Sequence, residues 1–313
     1  MPVQWPDTVD EVLGGDLTSA LASVTPAGGV VVIPVTGLGL RDREAGTLTV
    51  TTSLGLWKKL ERIHRNPHVA LAFHTREHGF SDRPEYVLAQ GTASFSPHPD
   101  REWLESIRPN LERFLGPRDL GPLWDRWLRV YTWERVGVEI AVERLVVWPD
   151  LACRGPAEVL GAPLPTEPAP PQRPPARGTA PRAKQDRAAK RAGRLPNVLL
   201  GWVGADGLPV VVSVEVTGSG EEGIFLEAPT GVVPAGGRRA GLTAHSFSAQ
   251  VRGQEQRIHT GWMEAGPDGR VVYAPHTETG YRLPSSKLLY RLAAGFATRR
   301  GMRWARQAEF MAG

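Results

Sequence analysis

Residues 46–74 read GTLTVTTSLGLWKKLERIHRNPHVALAFH, and this stretch decides how the rest of the chain is interpreted. It opens with threonines that alternate with Leu48 and Val50, the period-two pattern of a half-buried strand. Over 57–65, apolar residues recur at every third position, which predicts a short helix. Three hydroxyl-bearing residues lie at the end of the strand: Thr51, Thr52 and Ser53. The stretch therefore predicts a strand, a hydroxyl-rich turn and a helix.

A turn of this kind can hold a phosphate group. Its hydroxyls can donate hydrogen bonds, the first helical turn presents free N–H groups, and Lys58 and Lys59 supply positive charge. The alternative is that the same residues only cap the helix and cover a solvated face. The residue types by themselves leave both interpretations open.

A longer pattern extends from this turn along the chain. It consists of Thr-Ser at 52–53, Lys59, Ile63, Asn-Pro at 66–67, Val-Ala-Leu at 69–71 and Tyr-Val-Leu-Ala-Gln-Gly-Thr-Ala at 86–93. The combination resembles the signature of the pyridoxamine-5'-phosphate-oxidase-like, FMN-binding split-barrel flavoproteins. The resemblance implies a mainly β fold with peripheral helices, bound FMN, and oxidoreductase activity on a small molecule.

The resemblance also implies which residues bind the cofactor. It assigns the flavin phosphate to the direct ligands Thr52, Ser53 and Lys59, supported by Thr51, Trp57 and Lys58. Gln90, on the next strand, is the candidate for contact with the edge of the isoalloxazine ring. The chain departs from the family at Leu56, where a second hydroxyl or basic residue is often found, so part of the phosphate cage is missing from the pattern.

Size and composition suit two folded domains in a reducing compartment. The chain has 313 residues, of which 41% are hydrophobic, and this is enough for packed cores. Cys153 is the single cysteine, which excludes an intrachain disulfide and a zinc cluster of thiolates. No apolar run approaches the length of a membrane span, and the first residues lack the pattern of a secretion signal, so we expect a cytoplasmic protein.

The positive charge of the chain is concentrated in one segment. The formal net charge is +4, but residues 164–195 contain eight bases and two acids, so the remainder has a net charge of −2. A folded body without excess positive charge argues against a nucleic-acid partner. Proline, alanine and arginine dominate 156–195, and this composition predicts a flexible linker.

A pattern from the first part of the chain recurs after the linker. Residues 200–207 align without a gap on 21–28 at an offset of 179, and 258–263 match 88–93 at an offset of 170. The nine residues lost between these anchors fall where the first copy carries its phosphate motif. In the second copy, 229–237 is rich in Gly and Pro and has no helical period. We therefore predict two tandem split β-barrels, the second without the cofactor helix.

These patterns define three predicted regions. They are an FMN-binding split-barrel domain at 1–155, the linker at 156–195, and a degenerate split-barrel domain at 196–313. The last region ends in a predicted helix over 285–310 that carries four large apolar residues on one side, Leu288, Leu289, Leu292 and Phe296. We expect this side to pack across a barrel while the bases face water, and we therefore expect no membrane partner.

Two arrangements would complete a flavin site at the seam between two barrels. In one, arginines or His245 of the second copy close the site and the chain is a pseudo-dimer in itself. In the other, the first copy pairs with that of a second chain in a homodimer. The expected small-molecule partners are a substrate and a nicotinamide electron donor. No metal site is predicted, because His74 and His78 lie on a strand end and a loop, where a spacing of four does not bring imidazoles together.

The sequence leaves rival functions open beside the leading one. The leading interpretation is an FMN-dependent oxidoreductase in which the cofactor supplies the electronic chemistry. A deazaflavin-dependent reductase fits the same phosphate motif. A non-catalytic flavin- or haem-binding pseudoenzyme fits the degenerate second copy and Leu56. The sequence contains no recognisable nucleophile triad, P-loop or dinucleotide fingerprint, and the catalytic residues are unknown.

Overall fold

The computed structural model describes residues 2–117, 121–266 and 269–311. Within these residues it contains two antiparallel sheets with peripheral helices, which confirms the predicted mainly β class. The first sheet comprises β1 (Ser19–Val24), β2 (Val30–Val35), β3 (Arg41–Asp42), β4 (Thr47–Ser53), β5 (His68–Phe73), β6 (Tyr86–Ser94), β7 (Arg135–Trp148) and β8 (Glu158–Gly161). The second comprises β9 (Asn197–Val203), β10 (Pro209–Ser213), β11 (Glu215–Gly220), β12 (Gly223–Glu227), β13 (Gly236–Ser246), β14 (Glu255–Ala265) and β15 (Val271–Arg282).

The helices lie around these sheets. They are α1 (Asp7–Gly15), α2 (Lys58–Arg65), α3 (Arg101–Ser106), α4 (Arg108–Leu115), α5 (Pro122–Thr132), α6 (Gln185–Ala192) and α7 (Lys287–Ala305). Short 3₁₀ turns occur at Leu54–Leu56, Ala249–Val251 and Glu309–Met311. None of the helices in the described part of the chain combines the length and the apolar character that crossing a bilayer requires.

The two sheets have the same topology, which confirms the tandem repeat. The first follows the order β2-β1-β5-β6-β7-β4-β3, with β8 paired to β7, and the second follows β10-β9-β13-β14-β15-β12-β11. Gly91 and Gly261, at the predicted offset of 170, occupy equivalent bulges between central strands. A Cβ atom at either position would overlap a carbonyl oxygen of the neighbouring strand, so the bulge requires glycine.

The copies differ where the sequence alignment loses residues. Between β4 and β5 the first copy carries the 3₁₀ turn Leu54–Leu56 and then α2. Between β12 and β13 the second copy has only turns over residues 228–235. The prediction that the second barrel lacks the helix found here in the first copy is therefore confirmed, and the Gly- and Pro-rich composition of the segment is the physical reason.

The two halves pack face to face around a shared apolar core. One buried cluster contains residues of both sheets, including Ala22 and Leu88 of the first and Leu200 and Leu242 of the second. Hydrogen bonds also cross the seam: Tyr86 Oη donates to the Val211 carbonyl at 2.7 Å. Apolar burial and satisfied polar groups together join the two copies.

The segment predicted as a flexible linker differs from that prediction in the structure. It contains β8, which pairs with β7 beyond the predicted boundary at 155, and α6, which buries three alanines, Ala188, Ala189 and Ala192. The Gln172 side chain donates to the Gly28 carbonyl and accepts from the Arg239 backbone N–H, each at 3.0 Å. Small side chains and amide contacts hold this segment, although its composition includes few large apolar residues.

Helix α7 packs differently from the sequence prediction. Its small and medium-sized residues are buried, including Gly295, Thr298 and Met302, and they face the 3₁₀ turn Leu54–Leu56 and α5 of the first half. The four large residues predicted to pack are instead exposed: Leu288 55%, Leu289 53%, Leu292 43% and Phe296 63%. The reason is steric, because glycine allows the helix to approach backbone closely, as Gly301 approaches the Gly55 carbonyl.

The close approach of α7 to the first half predicts that a larger side chain at the contact destabilises the protein. A Cβ atom at Gly301 would overlap the Gly55 carbonyl oxygen, so Gly301→Val must displace the helix. We expect the free energy of unfolding, measured by denaturant titration, to fall by about 1–3 kcal/mol. Arg300→Val introduces the same residue on the exposed side of the same helix and should change it by less than about 0.5 kcal/mol. Equal losses in the two variants would contradict this packing.

Candidate functional site

A cavity of about 450 Å³ lies between the two halves of the chain. This volume is within the range of small-molecule and cofactor sites, roughly 300–1,000 Å³. One wall comes from the first half, from residues of β2, the end of β4, α2 and the start of β7. The other comes from the second half, from residues that flank or begin β14, the end of β15 and the inner side of α7.

Strand pairing brings the polar residues of the first wall together. β4 and β7 are antiparallel neighbours in which Ser53 pairs with Arg135 and Thr51 with Gly137. The first residue of β7 is therefore placed beside the hydroxyls at the end of β4. The chain then turns into α2, which carries Lys59 in its first turn, onto the same wall.

Two cations face this cavity without an acidic partner. The ammonium group of Lys59 makes no hydrogen bond or ion pair within the part of the chain that the structure describes. Arg135 is buried; its Nη1 donates to Thr51 Oγ1 at 2.5 Å and its guanidinium lies over the Tyr131 ring. Its Nε has no hydrogen-bond partner among the residues that the structure describes. No aspartate or glutamate is among the described residues that line the cavity, so it is suited to an anion.

The surroundings of Lys59 lower its pKa. Burial disfavours the charged ammonium, and the positive charges of Arg135 and Arg62 add to this effect, so that the pKa falls to about 8. A lysine held in this state gains from any ligand that brings negative charge. The cavity therefore has an electrostatic reason to bind an anion at this end.

The opposite wall provides hydrogen-bonding groups of a different kind. Tyr290 Oη lies 3.0 Å from Oη of Tyr131, which belongs to α5 of the first half, and Tyr281 Oη donates to Gln254 Oε1 at 3.1 Å. Gln256 is buried, and its Oε1 has no hydrogen-bond partner in the described part of the chain. An unsatisfied buried acceptor is costly, so a ligand N–H that reaches Gln256 would be favourable.

The structure brings together only part of the predicted phosphate site. Thr51, Thr52 and Lys59 line the cavity. Ser53 does not: its Oγ donates to the Val130 carbonyl at 2.8 Å and accepts from the Gly55 N–H, which begins the 3₁₀ turn. Trp57 packs against the core of the first half and Lys58 is exposed, and neither residue lines the cavity.

Gln90 lies away from the cavity, in contrast to the prediction that it contacts the isoalloxazine edge. Its Nε2 donates to the Pro209 carbonyl at 2.6 Å, and its Oε1 accepts from Arg144 Nε at 2.8 Å. Arg144 also pairs with Asp206 of the second half at 2.7 Å. Gln90 therefore belongs to a network that joins the halves, because its strand position faces the seam and not the cavity.

The second copy contributes to the cavity through residues that were not predicted. His245 is engaged elsewhere, with its Nε2 2.7 Å from Nε2 of the equivalent His74, and burial lowers the pKa of both imidazoles. Arg238 donates to backbone carbonyls, among them that of Ala169. The second half instead lines the cavity with Gln254, Gln256, Tyr281 and Tyr290, and the first half adds two further residues that were not predicted, Tyr131 and Arg135. None of these residues belongs to a local motif in the sequence. No cluster of three metal-ligating residues occurs in the described chain.

The second copy has an equivalent cavity with different chemistry. It measures about 540 Å³ and includes Ser213, the counterpart of Pro34 at the offset of 179. Strand pairing identifies the counterparts of the hydroxyl-bearing residues. Val50 of β4 pairs with Val138 of β7, and at the equivalent place in the second copy Leu226 of β12 pairs with Val271 of β15. Val50 is therefore equivalent to Leu226, and the three residues that follow, Thr51, Thr52 and Ser53, correspond to Glu227, Ala228 and Pro229. The hydroxyls are therefore replaced by an acid and two apolar residues, and this cavity does not repeat the anion site.

Solved structures that are similar to the chain cover about half of it. A putative pyridoxamine 5'-phosphate oxidase from Listeria innocua is 21% identical, with 45% of this chain and 95% of that chain covered and a TM-score of 0.31. General Stress Protein 26 from Bacillus anthracis is 17% identical, with 45% and 91% covered and a TM-score of 0.31. A pyridoxamine 5'-phosphate oxidase-related, FMN binding protein from Nostoc punctiforme is 12% identical, with 42% and 74% covered and a TM-score of 0.30.

No family model matches the chain, and no curated protein matches it. Structures named as pyridoxamine 5'-phosphate oxidase-like are among the similar ones, as the sequence resemblance predicted. At these identities and TM-scores the likeness carries no activity over to this chain. The chemistry of its own cavity has to support a function.

Proposed function

We propose that the protein is an FMN-dependent oxidoreductase that acts on a small molecule, with FMN bound in the cavity between its halves. The observation that carries this proposal is the pairing of two cations, Lys59 and Arg135, with the buried hydroxyls of Thr51 and Thr52 in a cavity without acids among its described lining residues. A phosphate group would neutralise the two charges and accept from the hydroxyls.

The unsatisfied groups of the cavity fit the chemistry of FMN. The Lys59 ammonium and the Arg135 Nε–H have no acceptor among the described residues, and a flavin phosphate would supply one to each. Gln256 Oε1 lacks a donor, and the N–H of the flavin ring supplies one. When bound, FMN provides the hydride-accepting and hydride-donating chemistry of the reaction. The residues of the chain bind and orient it, and the apolar parts of both walls exclude water.

Tyr131 and Tyr290 are the protein hydroxyls that could serve a substrate in this cavity. They lie 3.0 Å apart, and the neighbouring Tyr131 together with burial raises the pKa of Tyr290. Tyr290 therefore keeps its proton at neutral pH and is able to donate a hydrogen bond. We assign no catalytic acid or base.

We propose one cofactor per chain, with the chain acting as its own pseudo-dimer. Both walls of the cavity come from a single chain, which supports this arrangement over a homodimer. The equivalent cavity carries Glu227 where the first carries Thr51, and an acid there repels a phosphate. A full complement of flavin should therefore be one per chain, although the fold is duplicated.

A single cysteine is consistent with the proposed cytoplasmic, reducing compartment. We also propose that its thiol takes no part in the reaction. Cys153 is buried and free. Burial raises the pKa of its thiol to about 12, which makes it a poor nucleophile. We propose that Cys153 only packs in the core that the two halves share.

Two rival cofactors are distinguished by the same cavity. Deazaflavin carries a phosphate and a ring N–H as FMN does, so the residues described here accept it equally well. Haem fits less well, because no histidine, cysteine or methionine is among the described residues of the lining. Tyrosine binds haem iron as the phenolate, and that form is disfavoured because burial and the neighbouring Tyr131 raise the pKa of Tyr281, while Tyr131 together with burial raises the pKa of Tyr290. A flavin carrier without catalysis would have the same site and would differ only in its reactivity.

The decisive experiment identifies the small molecule that leaves the denatured protein. We expect FMN by mass spectrometry and flavin absorbance bands in the native protein, at one equivalent per chain. Blue-shifted absorbance would assign deazaflavin, and a Soret band would assign haem. Anaerobic addition of a reduced nicotinamide should bleach the flavin of an oxidoreductase and leave that of a carrier unchanged. Apoprotein that binds no FMN on reconstitution would contradict the proposal.

The lowered pKa of Lys59 predicts how FMN binding depends on pH. The ammonium loses its proton as the pH rises through about 8, and the phosphate attracts only the charged form. Affinity should therefore fall above pH 8, by up to about tenfold per pH unit. Titration of flavin fluorescence at neutral pH and at about pH 9.5 tests this. Lys59→Ala is the control and should remove the dependence; a flat profile in the unaltered protein would contradict the assignment.

A further inference from the structure

The outward side of α7 exposes large apolar residues together with bases. It comprises Leu288, Leu289, Leu292 and Phe296 in its first half and Arg299, Arg300, Arg303 and Trp304 in its second, and we call this set the α7 face. Trp304 is 58% exposed, comparable to Phe296. Contiguous exposed apolar residues of this kind mark interaction surfaces in soluble proteins.

The charge of the α7 face is of one sign. Residues 287–305 contain five bases and no acid. A hollow of about 680 Å³ lies against the second half of the helix, lined by Arg299, Arg300 and Arg303 with the aromatic residues Trp127, Phe296 and Trp304. The Arg299 guanidinium lies 4.2 Å from the Trp127 ring centroid. Arg300 and Arg303 make no ion pair within the described residues, so the surface is complementary to an anionic partner.

We propose that the α7 face docks the protein onto the surface of an anionic lipid bilayer. Leucine, phenylalanine and tryptophan side chains would enter the interfacial region, and the arginines would contact the negatively charged headgroups. The expectation of no membrane partner depended on the four large residues being packed against a barrel, and they are exposed instead. Binding would be peripheral.

Other partners fit this surface less well. A second copy of the chain on a two-fold axis would bring together two helices that each carry five bases and no acid over residues 287–305, and this repulsion is unfavourable. A nucleic acid would contact the arginines and the aromatic rings, but it would leave the apolar side chains of Leu288, Leu289 and Leu292 exposed to water. A bilayer surface would contact both halves of the helix, the apolar side chains through its interfacial region and the arginines through its headgroups.

Sedimentation of the full-length protein with vesicles tests the proposal. We expect binding to vesicles of phosphatidylcholine mixed with phosphatidylglycerol, weakened by salt, and little binding to phosphatidylcholine alone. Arg300→Glu with Arg303→Glu should reduce the partition coefficient by about 30-fold or more, and Phe296→Glu should reduce it as well. Because these side chains are exposed, the variants should fold, which circular dichroism checks.

Matched controls separate this surface from general charge and hydrophobicity. Leu164→Glu replaces an exposed apolar residue outside the α7 face, and Arg187→Glu with Lys190→Glu reverses two exposed bases on α6. Both controls should bind vesicles as the unaltered protein does. Equal loss in controls and test variants would overturn the proposal, as would the absence of binding to anionic vesicles. Self-association that Phe296→Glu abolishes, without vesicle binding, would assign the face to a second copy and also overturn it.

Discussion

Lys59→Ala should weaken FMN binding by about 1.5–3 kcal/mol, which is roughly a 10- to 150-fold increase in Kd. The ammonium of Lys59 faces the cavity without an anionic partner among the described residues, so its removal deletes a charge-assisted contact to the phosphate. Titration of the apoprotein by quenching of flavin fluorescence measures the loss. Inorganic phosphate, used as a competitor, should raise the apparent Kd for FMN more in the unaltered protein than in the variant.

Lys58→Ala is the matched control for this substitution. Lys58 is the neighbouring lysine on the same helix, but it is exposed and does not line the cavity, so its removal should leave the Kd within about twofold. Equal losses at both positions would show that only the overall charge of the helix matters. No loss at Lys59 would remove the phosphate assignment.

The same substitution should stabilise the protein in the absence of ligand. The pKa of Lys59 is lower in the folded chain than its ordinary value. Below pH 8 both states carry the Lys59 charge, but in the folded state that charge is desolvated and lies near other cations, which makes it unfavourable there. Between about 8 and the ordinary value, the unfolded chain binds more protons and stability rises with pH. Lys59→Ala removes this penalty, so at neutral pH the apoprotein should unfold at a higher denaturant concentration. Weaker binding accompanied by higher stability cannot come from misfolding.

Arg144→Met should destabilise the protein by about 3 kcal/mol. Arg144 is buried, and its guanidinium contacts Gln90 Oε1, the Pro163 carbonyl and Asp206 Oδ2 at 2.7–2.8 Å. Methionine leaves these acceptors without a donor at the seam between the halves. Asp206 is partly exposed and can recover water, so the effect lies at the low end for a buried pair. Denaturant unfolding measures it.

Arg43→Met is the control, since Arg43 and its partner Asp7 are both exposed and such pairs contribute about 0–1 kcal/mol. A double-mutant cycle of Arg144→Met with Asp206→Asn then measures the coupling across the seam. A coupling near zero would mean that the halves are held by apolar packing alone. If Arg144→Met costs no more than Arg43→Met, the network around Gln90 is not structural.

Local patterns in the sequence determined the strands, the hydroxyl-rich turn and the repeat. Alternation over 47–50 and the three-residue spacing over 57–65 depend only on neighbouring residues, and the structure forms β4 and α2 there. The repeat could be recognised at the offset of 170 because the bulge between central strands requires glycine in both copies, at Gly91 and Gly261. Thr51, Thr52 and Lys59 could be predicted together because one turn places them on one wall.

Only the tertiary structure decided the rest of the site and the role of α7. Arg135 reaches Thr51 through the pairing of β7 with β4, and Gln256 reaches the cavity through the packing of one half on the other. Neither contact leaves a local periodicity in the sequence. An amphipathic pattern also does not show which side of a helix is buried. In α7 the side with the small residues is buried, because glycine allows the helix backbone to approach its neighbour more closely than leucine would.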